Sequence, residues 1–105
     1  MVPKIHEIYQ VLPNYRGCKD ERPAVIISPP LANLVTVAYI TGQMDSYQPG
    51  SHFLIDDTSK DFKSTGLKKR CYVDGNEIAE LDLKRVLRKR GELTGQMLVE
   101  FKRWI

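Results

Sequence analysis

The residues of this 105-residue chain that could act on a substrate lie in a few places. Arg22 stands between a charged segment, PNYRGCKDER at 13–22, and the apolar run Pro23-Ala-Val-Ile-Ile-Ser28. An arginine keeps its proton near neutrality, and its planar fork matches the two free oxygens of a phosphodiester. Its natural task is to stabilise charge on a five-coordinate phosphorus. Paired with Glu21 or Asp20, the same side chain would be an ordinary loop arginine. Thr41 ends an aliphatic run and precedes Gly42, where its hydroxyl could donate to a phosphate oxygen or merely cap a turn. His6 and His52 are the side chains that ordinarily titrate near neutrality, hence general acid or base candidates, and neither has a visible partner. Tyr15, Tyr47 and Phe53 could stack on unpaired bases or fill a core.

Several chemistries are excluded. The chain has no phosphate-binding glycine loop, nucleophile elbow, zinc motif or dinucleotide fingerprint. Cys18 and Cys71 are far apart, outside any CxxC or Cys/His cluster, and read as two reduced thiols. Neither a metal nor another cofactor is expected. The polar start, with Pro3, Lys4, His6 and Glu7, does not suit a secretory signal, and no stretch approaches a membrane span, so a soluble, cytosolic protein is expected. Residues 1–67 carry 6 basic and 7 acidic side chains and residues 68–105 carry 10 and 6, which leaves the second part at +4. That bias suits a polyanion such as RNA, or a helix kept soluble by lysines.

The elements that would hold these residues are mostly strands. Glu7–Leu12 reads as a first strand stopped by Pro13. Pro23–Ser28 reads as a central strand buried on both faces, ended by Pro29-Pro30. Leu34–Thr41 sets Val35, Val37, Tyr39 and Thr41 on one face and Thr36, Ala38 and Ile40 on the other. A long loop follows at 42–51, then a brief strand at His52–Asp56 and a turn-rich segment. Lys69–Leu81 reads as two strand pieces around Asp74-Gly75-Asn76. From Leu83 to Arg90 the spacing of Leu83, Val86 and Leu87 predicts a basic amphipathic helix stopped by Gly91. Leu93, Met97, Leu98, Phe101 and Trp104 predict a terminal helix over Glu92–Trp104. The expected architecture is one domain over 1–105, a small antiparallel sheet or half-barrel with C-terminal helices. A core this small gains from burying more surface in a dimer.

The order of these segments resembles the MazF/PemK family of toxins from toxin–antitoxin pairs. The resemblance runs through KIHEIY, ERPAVIISP, VTVAYITGQ, SHFLID, STGLKKRCYVD, NEIAELD and GELTGQMLVEF, nearly the whole chain. It implies a compact SH3-like, CcdB-like barrel with a terminal helix, a homodimer, and metal-independent cleavage of single-stranded RNA. It puts Arg22 and Thr41 where the family keeps its catalytic arginine and threonine. The implied reaction is attack of a ribose 2′-hydroxyl on the adjacent phosphate, leaving a 2′,3′-cyclic phosphate and a 5′-hydroxyl. The base is left open among Glu21, His52 and water. RNA contacts would come from Tyr15, Arg16 and Lys19 on the first loop and Gln43 and Ser46 on the second. A cognate antitoxin with a flexible acidic C-terminal segment would cover the groove.

This chain departs from the family pattern at three places. His6 replaces a usual glycine, RGCKDE replaces a Gly-Ser-Glu-Gln pattern, and Glu77-Ile78-Ala79 replaces Gln-Ile-Arg/Lys. Asp74 and Asn76 stand where some relatives use an arginine and an aspartate. Two alternatives remain at this level: a non-enzymatic toxin of the same fold, like the gyrase-blocking CcdB group, acting through the closing Trp104-Ile105, and an inactive module that keeps only the antitoxin or RNA surface.

Overall fold

The computed structural model describes residues 2–14 and 20–105. Six strands form one antiparallel sheet: β1 (Glu7–Val11), β2 (Arg22–Leu31), β3 (Leu34–Thr41), β4 (His52–Ile55), β5 (Cys71–Asp82) and β6 (Val86–Glu92). Their order is β4-β5-β3-β2-β1-β6, and one helix, α1 (Gly95–Trp104), follows. β2 and β3 form a hairpin whose two-residue turn places Ala32 and Asn33 at φ 51° and 69°, the positive values such a turn needs.

One short link makes this sheet curl. Val11, at the end of β1, pairs with Arg22 and with Val86, whereas Asp82 pairs with Leu34 at the far end of β3. Only the 3-10 turn Leu83–Arg85 joins Asp82 to Val86. So few residues reach at most about 14 Å. The far end of β2, β3 and β5 must therefore bend back toward β1. Register shifts between Ile26 and Ser28 on β2, and between Ala38 and Ile40 on β3, supply the bend. Leu83 N donates to Asn33 O at 2.8 Å and Leu12 N to Arg85 O at 2.9 Å, pinning both ends of the link.

The curl creates two cores, one on each face. Val11, Ala24, Ile26, Val37, Tyr39 and Leu81 fill the concave side. Ile8, Val25, Ala38, Ile40, Cys71 and Val73 fill the other, covered by Leu93, Met97 and Phe101 from the C-terminal end. Phe101 is 1% exposed, and burying such a ring contributes about 1.5–3 kcal/mol. Burial pushes the Cys71 thiol up to about 11, so it is an inert core group. Cys18 lies outside the described residues.

Four expectations need correction. Leu83–Arg90 is not a helix. It is the 3-10 turn followed by β6, and α1 is the one α-helix among the described residues. The spacing of Leu83, Val86 and Leu87 suits a helix, but only Val86 is buried. The deciding factor is β1, whose residues are all buried and whose free edge needs a partner for its N–H and C=O groups. β5 is one continuous strand, with Asp74-Gly75-Asn76 in a bulge rather than a turn between two pieces: Ala38 faces Ile78 while Ile40 faces Val73. β2 runs through Pro29-Pro30 to Leu31, since the register shift between Ser28 and Leu31 removes the prolines from the regular ladder. The terminal helix starts at Gly95 rather than Glu92, because Glu92 still pairs with Glu7. The other strands match the expectations to within a residue or so.

His6 adopts φ 73°, a conformation that suits the glycine expected at that place, and its ring meets Phe101 edge-on at 6.0 Å. Burial, and then the Lys102 charge, hold its pKa below the ordinary histidine value. Next to it, Glu7 opens β1 with its carboxylate 2.8 Å from Lys89 Nζ on β6 and accepting from Lys4 N at 2.7 Å. Burial alone would raise its pKa, but the Lys89 and Lys4 bonds outweigh that and hold it below the ordinary glutamate value. A carboxylate with a depressed folded pKa contributes stability that is present above its unfolded value and lost as pH falls through its folded value. Glu7→Gln is therefore expected to destabilise the protein to urea at neutral pH, with the difference from wild type closing as the pH is lowered through the acid range.

Candidate active site

Strand register brings the first two candidates together. Ala24 faces Tyr39, so the next positions along this antiparallel pair set Arg22 level with Thr41. Thr41 in turn faces Tyr72 on β5. The three side chains line a polar cleft of about 420 Å3 with Gln43, Ser46, Asp74 and Glu77. The bulge in β5 is what carries Asp74 and Glu77 to this rim, and Asn76 N closes it by donating to Asp74 Oδ1 at 2.8 Å.

Described neighbours hold Arg22 from several sides. Its guanidinium carbon sits 5.0 Å from the centre of the Tyr39 ring, Nη2 donates to Ile40 O at 3.4 Å, and Nη1 lies 3.6 Å from Glu77 Oε2. Thr41 Oγ1 accepts from Gln43 N at 3.3 Å, which leaves the hydroxyl hydrogen to donate into the cleft. A planar cation and a hydroxyl donor thus converge on one space, as recognition of a phosphate requires.

The two base candidates are placed elsewhere. Glu21 Oε1 is 2.8 Å from Arg88 Nη1 on β6, and Glu21 does not line the cleft. His52 lines a separate cavity with Tyr47 and Phe53. Its ring stacks on Tyr72 at 4.3 Å, and Nδ1 accepts from Gln48 N at 2.9 Å. A nitrogen that accepts an N–H carries no proton, so neutral His52 holds its hydrogen on Nε2, facing Asp74 Oδ1 at 3.6 Å. Neither ring nitrogen is free to take a proton from substrate while these contacts last. His52 instead anchors the 42–51 loop to β5. Phe53 packs edge-on to Phe101 at 5.2 Å as a core residue. Tyr15, Arg16 and Lys19 lie outside the described residues.

Sequence reasoning did not assign a site role to Tyr72, Asp74 or Glu77. Glu77 was visible only as a departure from a family stretch. Tyr72 became legible only with the register that sets it opposite Thr41. No group of three or more His, Cys, Asp or Glu side chains that could hold a metal occurs among the described residues, and no described helix is long and apolar enough to cross a membrane.

The model of the family described as PemK-like, MazF-like toxin of type II toxin-antitoxin system matches residues 4–105. The chain belongs to this family. A PemK/MazF-like toxin of this kind implies a cognate antitoxin. No curated protein matches the sequence. Among solved structures, the fold is similar to the Mycobacterium tuberculosis toxin MazF-mt6, with a TM-score of 0.72 over 94% of this chain and 91% of that one. The two are 18% identical, so the likeness shows the fold, a six-stranded antiparallel sheet with one C-terminal helix. For this PemK/MazF-like chain, nitrogen NMR of His52 at neutral pH is expected to show the Nε2–H tautomer. A proton on Nδ1 would contradict its role in anchoring the loop.

Proposed function

We propose that this toxin is a metal-independent endoribonuclease that cuts single-stranded RNA by attack of a 2′-hydroxyl on the adjacent phosphate. The observation that carries this reading is the convergence of the Arg22 guanidinium and the Thr41 hydroxyl in one polar cleft at the ends of paired strands. Arg22 stabilises the charge that builds on phosphorus, and Thr41 orients a nonbridging oxygen. Glu77, the carboxylate beside Arg22, takes the proton of the 2′-hydroxyl. Cleavage then breaks the bond from phosphorus to the 5′-oxygen, which takes a proton from water, leaving a 2′,3′-cyclic phosphate on one product and a 5′-hydroxyl on the other, and loss of messenger RNA halts growth.

Gln43 and Ser46 on the cleft wall are the proposed base contacts, with Tyr15, Arg16 and Lys19 on the first loop. The toxin acts as a homodimer in the cytoplasm, and the exposed Leu31 and Leu34 of the hairpin support a further buried interface. Its antitoxin inhibits through a flexible acidic C-terminal segment that competes with RNA for the basic C-terminal part of the chain. The gyrase-blocking alternative has less support. Trp104 is turned inward, its Nε1 donating to Gly50 O at 3.0 Å and its ring packing 5.7 Å from Phe101.

The test is cleavage of single-stranded RNA in EDTA. Arg22→Ala is expected to lower kcat/KM by about 100- to 1,000-fold, the scale of losing a transition-state donor. Glu77→Gln is expected to lower kcat roughly 100-fold while leaving RNA binding equal or tighter, because it removes a negative charge from an anion site. Intact RNA after prolonged incubation with the folded wild-type protein would refute the reading. Weaker RNA binding in Glu77→Gln would refute the role given to Glu77.

A further inference from the structure

The cleft poses an electrostatic problem for its own substrate. Among its described lining residues the charged groups are one cation, Arg22, and two carboxylates, Asp74 and Glu77. A polyanion gains little there beyond a single phosphate. A neighbouring cationic surface can add attraction for the rest of the strand.

Such a surface lies on the other face of the same strand ends. Side chains alternate along a strand, so the partners of Arg22, Thr41 and Tyr72 on the opposite face are Pro23, Ile40 and Cys71. These three belong to a second cavity of about 360 Å3, completed by Gly42, Leu67, Lys68, Lys69 and Arg90. Its floor is apolar and its rim is cationic. Arg90 is spoken for, with Nη1 donating to Gln10 Oε1 at 2.8 Å and Nη2 to Gly66 O at 3.0 Å, so it serves as a wall. Lys68 and Lys69 are exposed. Lys69 lies across Gly42, the residue that separates the two cavities: a methyl group at Gly42 would stand 2.8 Å from Lys69 Cε and 3.2 Å from Nζ. The glycine leaves a low sill between the Thr41 hydroxyl on one side and the lysine rim on the other.

We infer that the apolar cavity seats the nucleotide next to the scissile phosphate, with its base on the Ile40, Leu67 and Cys71 floor and its backbone phosphate on Lys68 and Lys69. The strand crosses the sheet end at Gly42, leaving the scissile phosphate beside Arg22 and Thr41. An apolar floor under a few placed charges is the usual make-up of a small-ligand site, and the volume falls in the usual range. This assignment rests on the reading of the chain as an RNA-cutting toxin and adds the place that holds the neighbouring nucleotide.

The experiment measures binding of an uncleavable, 2′-fluoro oligonucleotide pool of random sequence by fluorescence anisotropy across a salt series. It compares wild type, Lys68→Ala, Lys69→Ala and Leu67→Trp, the last filling the cavity. Alongside it, cleavage of a dinucleotide with a single phosphate is compared with that of a longer RNA. Each lysine substitution is expected to weaken binding several-fold and to reduce the slope of log K against log salt, by at most about 0.7, the value for one single-strand phosphate contact shared by the two lysines. Leu67→Trp is expected to weaken binding of the longer strand several-fold and also to slow dinucleotide cleavage, because one of the two dinucleotide bases would occupy the filled cavity. Unchanged affinity and salt slope in both lysine variants would overturn the inference even if wild type cuts RNA normally. Lysine-dependent binding without any cleavage would instead support the nucleotide site and refute the proposed reaction. Absence of oligonucleotide binding by wild type would overturn both.

Discussion

Everything at the candidate site depends on the pairing of β3. This strand is hydrogen-bonded to β2 on one edge and β5 on the other, and its middle is buried on both faces. A slip of one residue would exchange its two apolar sets, so the register is held by both cores at once. That single register sets Arg22, Thr41 and Tyr72 on one face and Pro23, Ile40 and Cys71 on the other. The β5 bulge, which absorbs the curl of the sheet, then delivers Asp74 and Glu77 to the same rim. The geometry of the candidate site is a by-product of packing, and no loop has to order itself to bring Arg22 and Thr41 together.

Magnitudes favour a site that opens to a phosphate. The Arg22 to Glu77 contact is 3.6 Å long, with side chains 27% and 49% exposed. A pair that exposed is worth about 0–1 kcal/mol. A phosphate can replace Glu77 on the guanidinium at small cost, and the released carboxylate is then free to accept a proton. The Tyr39 ring and the Ile40 carbonyl remain as supports, so Arg22 keeps its aim while its ionic partner changes. A buried, bidentate pair would have resisted that exchange.

Much of this fold was legible in the residues, and the reason differs from element to element. β2 and β3 were readable because runs such as Val35 to Ile40 leave no polar face to place in water. Arg22 and Thr41 stand out as candidates because each lies at the edge of such a run and matches a position of the family resemblance. The segment Leu83–Arg90 was misread because its spacing suits a helix equally well, and only the unmet hydrogen bonds of β1, far away in sequence, decide for a strand. Asp74-Gly75-Asn76 has turn composition, yet long-range pairing on both sides of it holds one strand with a bulge. Glu77 and Tyr72 were missed as site residues for the same reason. Their approach to Arg22 and Thr41 depends on that bulge and register, which local sequence does not encode.

The central claim is that Arg22 and Thr41 serve an attack by the RNA's own 2′-hydroxyl. The most direct measurement is an end-group analysis of single-stranded RNA cut by the purified wild-type protein in EDTA. A 2′,3′-cyclic phosphate on the upstream fragment and a 5′-hydroxyl on the downstream one are expected. A 5′-phosphate paired with a 3′-hydroxyl, or cleavage that ceases when EDTA is added, would contradict it.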